Sequence, residues 1–206
     1  LSLTVGILAL LQNRYGQFSD IRGFYGMHFY DGQNLWPFSE KILAGDTRVQ
    51  HPVEYPALTG LVMWLLSFLV SPSETAVFDY YRITAAFQIV LLAISAYLIF
   101  KLAGKKYGFY FILAPAVLYS LNRNWDIWAI AAMLLAIYLF EKKRFKLSAI
   151  LLAVSIATKF FPIVLMLPIM IIFLRDNQIK LFIRYAVTTA VAWAVINLPF
   201  VLINYE

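Results

Sequence analysis

The sequence predicts an all-α, polytopic membrane protein, and three observations carry that prediction. Of 206 residues, 62% are hydrophobic and 14% are charged, whereas an ordinary soluble domain is about 45–50% apolar and about 25% charged. Long apolar runs recur along the whole chain, and 17 basic with 11 acidic residues are too few to cover so apolar a body in water. Aromatic residues make up 17%, many of them at the ends of apolar runs, where interfacial belts lie. Residues 1–206 read as a single transmembrane domain without repeats or low-complexity tracts.

Taken in order, residues 1–11 form an apolar run of about half the ~20 residues a span requires. It lacks the basic leader and cleavage site of a signal peptide and reads as the end of a truncated helix, so the chain is expected to be a fragment of a longer one. Residues 12–55 form a long polar and aromatic loop. Residues 56–70, with Gly60 inside and Pro56 and Pro72 at the edges, cover roughly 22 Å as a helix against a core of about 30 Å. A juxtamembrane or re-entrant helix is therefore expected, which makes residues 12–82 one large exoplasmic region; a short tilted span is the rival. Further apolar runs cover 83–103, 109–120, 127–140 and 181–203. Residues 147–174 form one apolar run broken at Thr158-Lys159-Phe160-Phe161-Pro162, and basic loops flank it on both sides. That pattern predicts a hairpin whose turn lies below the membrane surface, where irregular backbone survives only inside protein or beside a wet cavity.

The basic residues set the sides. Lys105 and Lys106, then Lys142, Lys143, Arg144 and Lys146, then Arg175 and Lys180, form three short clusters, which the positive-inside rule places in the cytoplasm. Alternating the runs outward from those clusters puts Asn122–Asp126, the tip of the 158–162 break and the first loop on the opposite face. A net charge of +6 spread over such loops is a topology signal and not a nucleic-acid surface. The absence of cysteine excludes disulfides and thiolate metal sites, and His28 and His51 are too few for a histidine-rich one. No phosphate-loop, dinucleotide-binding or zinc motif occurs.

Several polar groups fall on the non-cytoplasmic face. Asp20, among aromatic and aliphatic neighbours, suits a base of raised pKa, and equally suits a helix cap or a partner for Arg22. Glu54 in Pro52-Val53-Glu54-Tyr55-Pro56 suits a helix N-terminus as well as a site. Asn122-Arg123-Asn124-Trp125-Asp126 is more polar than a turn requires. Lys159 is the sharpest residue, because a lysine at the tip of a buried hairpin faces a cavity, an anion or a carboxylate unless it snorkels. A phosphate is the natural anion for Lys159 and Arg123.

Four ordered motifs then show a resemblance. Tyr15-Gly16-Gln17-Phe18-Ser19-Asp20-Ile21, Glu54-Tyr55-Pro56-Ala57-Leu58-Thr59-Gly60, Asn124-Trp125-Asp126 and Ala157-Thr158-Lys159-Phe160-Phe161-Pro162 resemble glycosyltransferase family 87. That family comprises polyprenol-phosphate-mannose-dependent mannosyltransferases and relatives of the GT-C fold. The resemblance covers the N-terminal half of a typical member. It implies a GT-C-like multi-helix bundle with juxtamembrane helices in a large first exoplasmic loop, in a prokaryotic plasma membrane. It further implies inverting transfer of a hexose, with mannose the best-known case, from a polyprenyl-phosphate donor to a lipid or glycan hydroxyl. Asp20 matches the first-loop aspartate assigned as general base. On chemical grounds Lys159 and Arg123 would receive the phosphate charge, and Glu54, Tyr55, Asn124 and Asp126 would hold sugar hydroxyls or order the loop. The residues name no cofactor, and metal dependence stays open, since an acid pair could bind a divalent cation. A transporter or flippase of a lipid-linked or anionic solute is the rival, since a broken helix with a lysine at its tip also suits an anion site at the midplane.

Overall fold

The computed structural model describes Ile21 and residues 55–71, 73–121 and 123–203. Among the described residues the secondary structure is entirely helical. The helices are α1 (Ala57–Ser67), α2 (Ala76–Ala103), α3 (Lys105–Leu113), α4 (Pro115–Ser120), α5 (Asp126–Glu141), α6 (Phe145–Thr158), a 3-10 turn (Phe161–Leu165), α7 (Met166–Arg175) and α8 (Ile179–Ile203). Two of them, Ala76–Ala103 and Ile179–Leu202, are long and apolar enough to cross a membrane. This all-α architecture is compatible with a membrane protein.

The surface is apolar and the interior partly polar. The α2 helix buries Thr84, Gln88 and Ser95 completely and exposes Phe87, Val90, Ile94 and Tyr97. The α8 helix turns Ile183, Val187, Val191, Val195 and Leu202 outward at helical spacing. In water such stripes would be exposed patches calling for cover. In hydrocarbon the same arrangement is favourable, because apolar side chains face lipid and polar ones are kept away from it.

The α5–α6 hairpin forms the centre. Its helices approach closely because Ala129, Ala136, Ala149 and Ala153 are small and buried. Ser148 donates to the Ala136 carbonyl at 2.8 Å and Ser155 to the Ala129 carbonyl at 2.7 Å, which fixes the antiparallel register. Small residues with serines bonded across the gap are the usual means of joining helices in lipid. On this hairpin α2 packs against α5, α8 against α6, and α1 mainly against α6.

The turns at one end share a device. Lys143 (φ 58°) and Asn177 (φ 55°) adopt the left-handed conformation, and the Arg144 and Gln178 N–H groups return to the Leu139 and Phe173 carbonyls at 2.9 and 2.8 Å. Each C-cap satisfies terminal carbonyls and reverses the chain. Between these turns Phe140, Phe145, Phe173 and Tyr185 pack edge-on or tilted, with centroids 5.2 to 6.2 Å apart. Phe145 begins α6 and Phe173 lies near the end of α7, so their contact closes the predicted hairpin.

Two segments depart from the sequence expectation. The polar stretch before residue 83 is not all loop, since α2 begins at Ala76; Thr75 donates to the Asp79 carboxylate at 2.9 Å and Arg82 pairs with it at 3.0 Å, carrying the helix beyond the apolar run. The 109–120 run is not one helix, because Ala114 (ψ 127°) is extended ahead of Pro115 and separates α3 from α4. The α1 helix has only 11 residues, about 16 Å and shorter than the hydrocarbon core of a bilayer.

Candidate functional site

The end of the bundle opposite the aromatic cluster is polar. Asp126 is the first residue of α5, where a carboxylate suits the helix dipole. Its N–H donates to the Asn124 side-chain oxygen at 3.1 Å, so Asn124 satisfies the first N–H of the helix that carries Asp126. Lys159 follows the last residue of α6 in extended backbone (φ −155°, ψ 139°), with its N–H still bonded to Ser155 at 3.0 Å. The antiparallel register brings these two helix ends level, and the Lys159 ammonium donates to the Asp126 carboxylate. The two side chains are 38% and 33% exposed. The pair is therefore recessed but open, and a ligand can still reach it.

Side chains from α1, the segment just before it, and α2 hold the two ends. Gln88, fully buried in α2, donates to the Asn124 carbonyl at 2.7 Å. Tyr55, just before α1, meets the buried Trp125 ring edge-on at 4.8 Å. Thr59 of α1 donates its hydroxyl to the Thr158 carbonyl, which the break after α6 leaves without a helical partner. Arg123 lies half-buried in the same turn, its N–H bonded to Ser120 at 3.0 Å.

Of the residues singled out from sequence, Tyr55, Arg123, Asn124, Asp126 and Lys159 thus gather around one end of the α5–α6 hairpin. Asp20 and Glu54 lie outside the described residues, as do Arg14, Arg22 and His51. Lys159, expected to meet a phosphate, meets the Asp126 carboxylate, so an incoming anion would share the ammonium with that partner. Beside Asp126 and Asn124 the described residues enclose about 20 Å³, room for about one water and not for a sugar. No group of three or more potential metal ligands occurs among the described residues.

Gln88, Thr59 and Trp128 were not singled out from sequence. Gln88 carried a usable signal, since an amide inside a long apolar run is a functional candidate by default. Thr59 stood only as part of the Glu54–Gly60 motif, and nothing local pointed to its partner, a backbone carbonyl about a hundred residues away in the chain. Trp128, two residues beyond Asp126, is buried with an indole N–H that has no partner among the described residues.

The length of the helices sets the depth of this end. The α5 helix has 16 residues and α6 has 14, roughly 24 and 21 Å, whereas the hydrocarbon core is about 30 Å thick. With the aromatic end at one interface, the Asp126–Lys159 pair would lie several ångströms below the other. Compared with protein-family models, with curated proteins and with solved structures, the chain matches none.

Proposed function

We propose that the chain is part of a polytopic GT-C-type glycosyltransferase that takes a hexose from a polyprenyl-phosphate donor and passes it to a lipid or glycan hydroxyl at the non-cytoplasmic face. The observation that carries the reading is the convergence of Tyr55, Asn124, Asp126 and Lys159, drawn from three separate motifs, on one recessed polar end. A bundle needing only stability could use apolar residues there, because an ion pair taken out of water is no more stabilising than well-packed hydrocarbon.

In this reading Asp20 takes the acceptor hydroxyl proton as that oxygen attacks the anomeric carbon. The bond from that carbon to the phosphate oxygen breaks on the opposite side, and configuration inverts. The departing lipid phosphate gathers charge, which Lys159 and Arg123 offset as fixed cations near the bilayer. Asp126 holds the Lys159 ammonium in position between turnovers, and Asn124 and Tyr55 fix the turn that carries Asp126. Glu54 holds a sugar hydroxyl or orders the loop entering α1.

The test is sugar transfer from a polyprenyl-phosphate donor by the full-length protein in detergent or vesicles. Asp20→Asn is expected to lower turnover by about 10²–10⁴-fold, the usual worth of a general base, with the melting temperature retained. Near-normal turnover in that variant overturns the proposal. The extended backbone at Lys159, between α6 and the 3-10 turn, favours a second reading as a transporter of a lipid-linked anion. Flux of such a solute across vesicles without any covalent product would support that alternative.

A further inference from the structure

A groove runs between α2 and α3 at the end of the bundle away from Asp126 and Lys159. Gly104 (φ 102°) reverses the chain between the two helices, and Gly108 lets them close: a Cβ there would sit 3.0 Å from the Ala96 carbonyl oxygen. Ala93 and Ala96 leave a floor without bulk, and Tyr97, Phe109 and Ile112 form the walls. The groove measures about 360 Å³, within the range of small-ligand sites, and its lining is almost wholly apolar apart from Lys105 at its mouth.

The mouth is cationic. The Lys101 ammonium lies 5.3 Å from the Tyr97 ring centroid and 5.6 Å from that of Phe100, folded back over the groove wall. Lys106 lies beside them, over Tyr110 at 5.4 Å. All three lysines are exposed, and none has an ion-pair partner among the described residues. No acidic residue occurs between Asp79 and Asp126 in the sequence. Gln88 stands level with Asn124, so α2 and α5, each running roughly 22 Å further, bring Lys101 and Lys105 to the level of the 141–146 turn. That is the level at which lipid headgroups lie if α2 crosses the bilayer.

We infer that this groove binds one anionic phospholipid, an acyl chain lying along Ala93, Ala96 and Gly108 and the phosphate between Lys101 and Lys105. An apolar slot open to lipid will be filled by an acyl chain, and the unpaired cations at its mouth select the charge of the headgroup. The inference rests on α2 crossing a membrane and not on sugar transfer.

The full-length protein, purified from nanodiscs of phosphatidylcholine doped with phosphatidylglycerol, tests it by native mass spectrometry. The wild type is expected to retain one phosphatidylglycerol at least tenfold more readily than phosphatidylcholine. Each lysine is expected to contribute about fivefold, so K101Q with K105Q together should abolish the preference while a neutral lipid still binds. Ala93→Phe, which fills the floor, should remove both lipids. Equal retention of the two lipids by the wild type would overturn the inference, and so would an undiminished preference after the double lysine change. A groove occupied by another part of the chain would show no bound lipid at all, which also overturns it. If alkaline carbonate releases the protein from membranes, the membrane reading fails as well; if only detergent releases it, a missing lipid preference sinks this inference alone.

Discussion

The two ends of the α5–α6 hairpin close the same pair of helices by opposite means. At one end Phe140, Phe145, Phe173 and Tyr185 interlock as hydrocarbon, and left-handed caps at Lys143 and Asn177 finish the turns. At the other, the helix ends are joined by Asp126 with Lys159, steadied by Gln88 through Asn124 and by Thr59 through Thr158. The first arrangement draws on packing and would suit many sequences. The second uses groups that are costly away from water and gain little stability over an apolar substitute. The contrast assigns stability to the aromatic end and, under the proposed function, leaves chemistry to the polar end.

That contrast can be broken by substitution. Phe173→Ala removes a buried ring that touches four other rings, and should cost about 3–5 kcal/mol in detergent unfolding. A loss below about 1 kcal/mol, against the usual core value, would remove the claim that this end holds the hairpin. Lys159→Met leaves the Asp126 carboxylate without its cation. Because both groups are about one-third exposed, the loss should be about 1–2 kcal/mol, below that of a fully buried pair. Adding Asp126→Asn should restore most of that stability while any transfer activity stays lost. If the double variant remains as unstable as the single one, the pair serves structure and not chemistry.

Two smaller changes sharpen the comparison. Gln88→Leu frees the Asn124 carbonyl and should cost about 1 kcal/mol in stability. Its larger effect should be on turnover, since the turn holding Asp126 loosens. Lys143→Gly relieves a left-handed residue at the aromatic end and should raise stability slightly, by about 1 kcal/mol at most. It should leave any activity unchanged.

Much of this was legible in the sequence because apolar runs and charge clusters are local signals. The α5, α6 and α8 boundaries fall within two residues of the apolar runs that predicted them, and the break at Lys159 followed from Pro162 and one charge in hydrocarbon. The shared end of Asn124, Asp126 and Lys159 was also readable, because alternating helices leave little choice once the basic loops are assigned. What was not readable was pairing. The Asp126–Lys159 contact depends on the antiparallel register of α5 and α6, which Ser148 and Ser155 set through backbone carbonyls. The extension of α2 to Ala76 depends on side-chain bonds of Thr75 and Arg82 to Asp79, which no hydropathy pattern carries. The α3–α4 break was hidden because Ala114-Pro115 sits inside an unbroken apolar run.

The account requires the two ends of the hairpin to face opposite sides of a membrane. The sequence contains no cysteine, so single cysteines placed at the exposed positions Phe161 and Lys143 can be labelled with an impermeant maleimide in intact cells and in inverted vesicles. Position 161 is expected to label from outside the cell and position 143 only from the cytoplasmic side. Labelling of both from the same side would contradict the account.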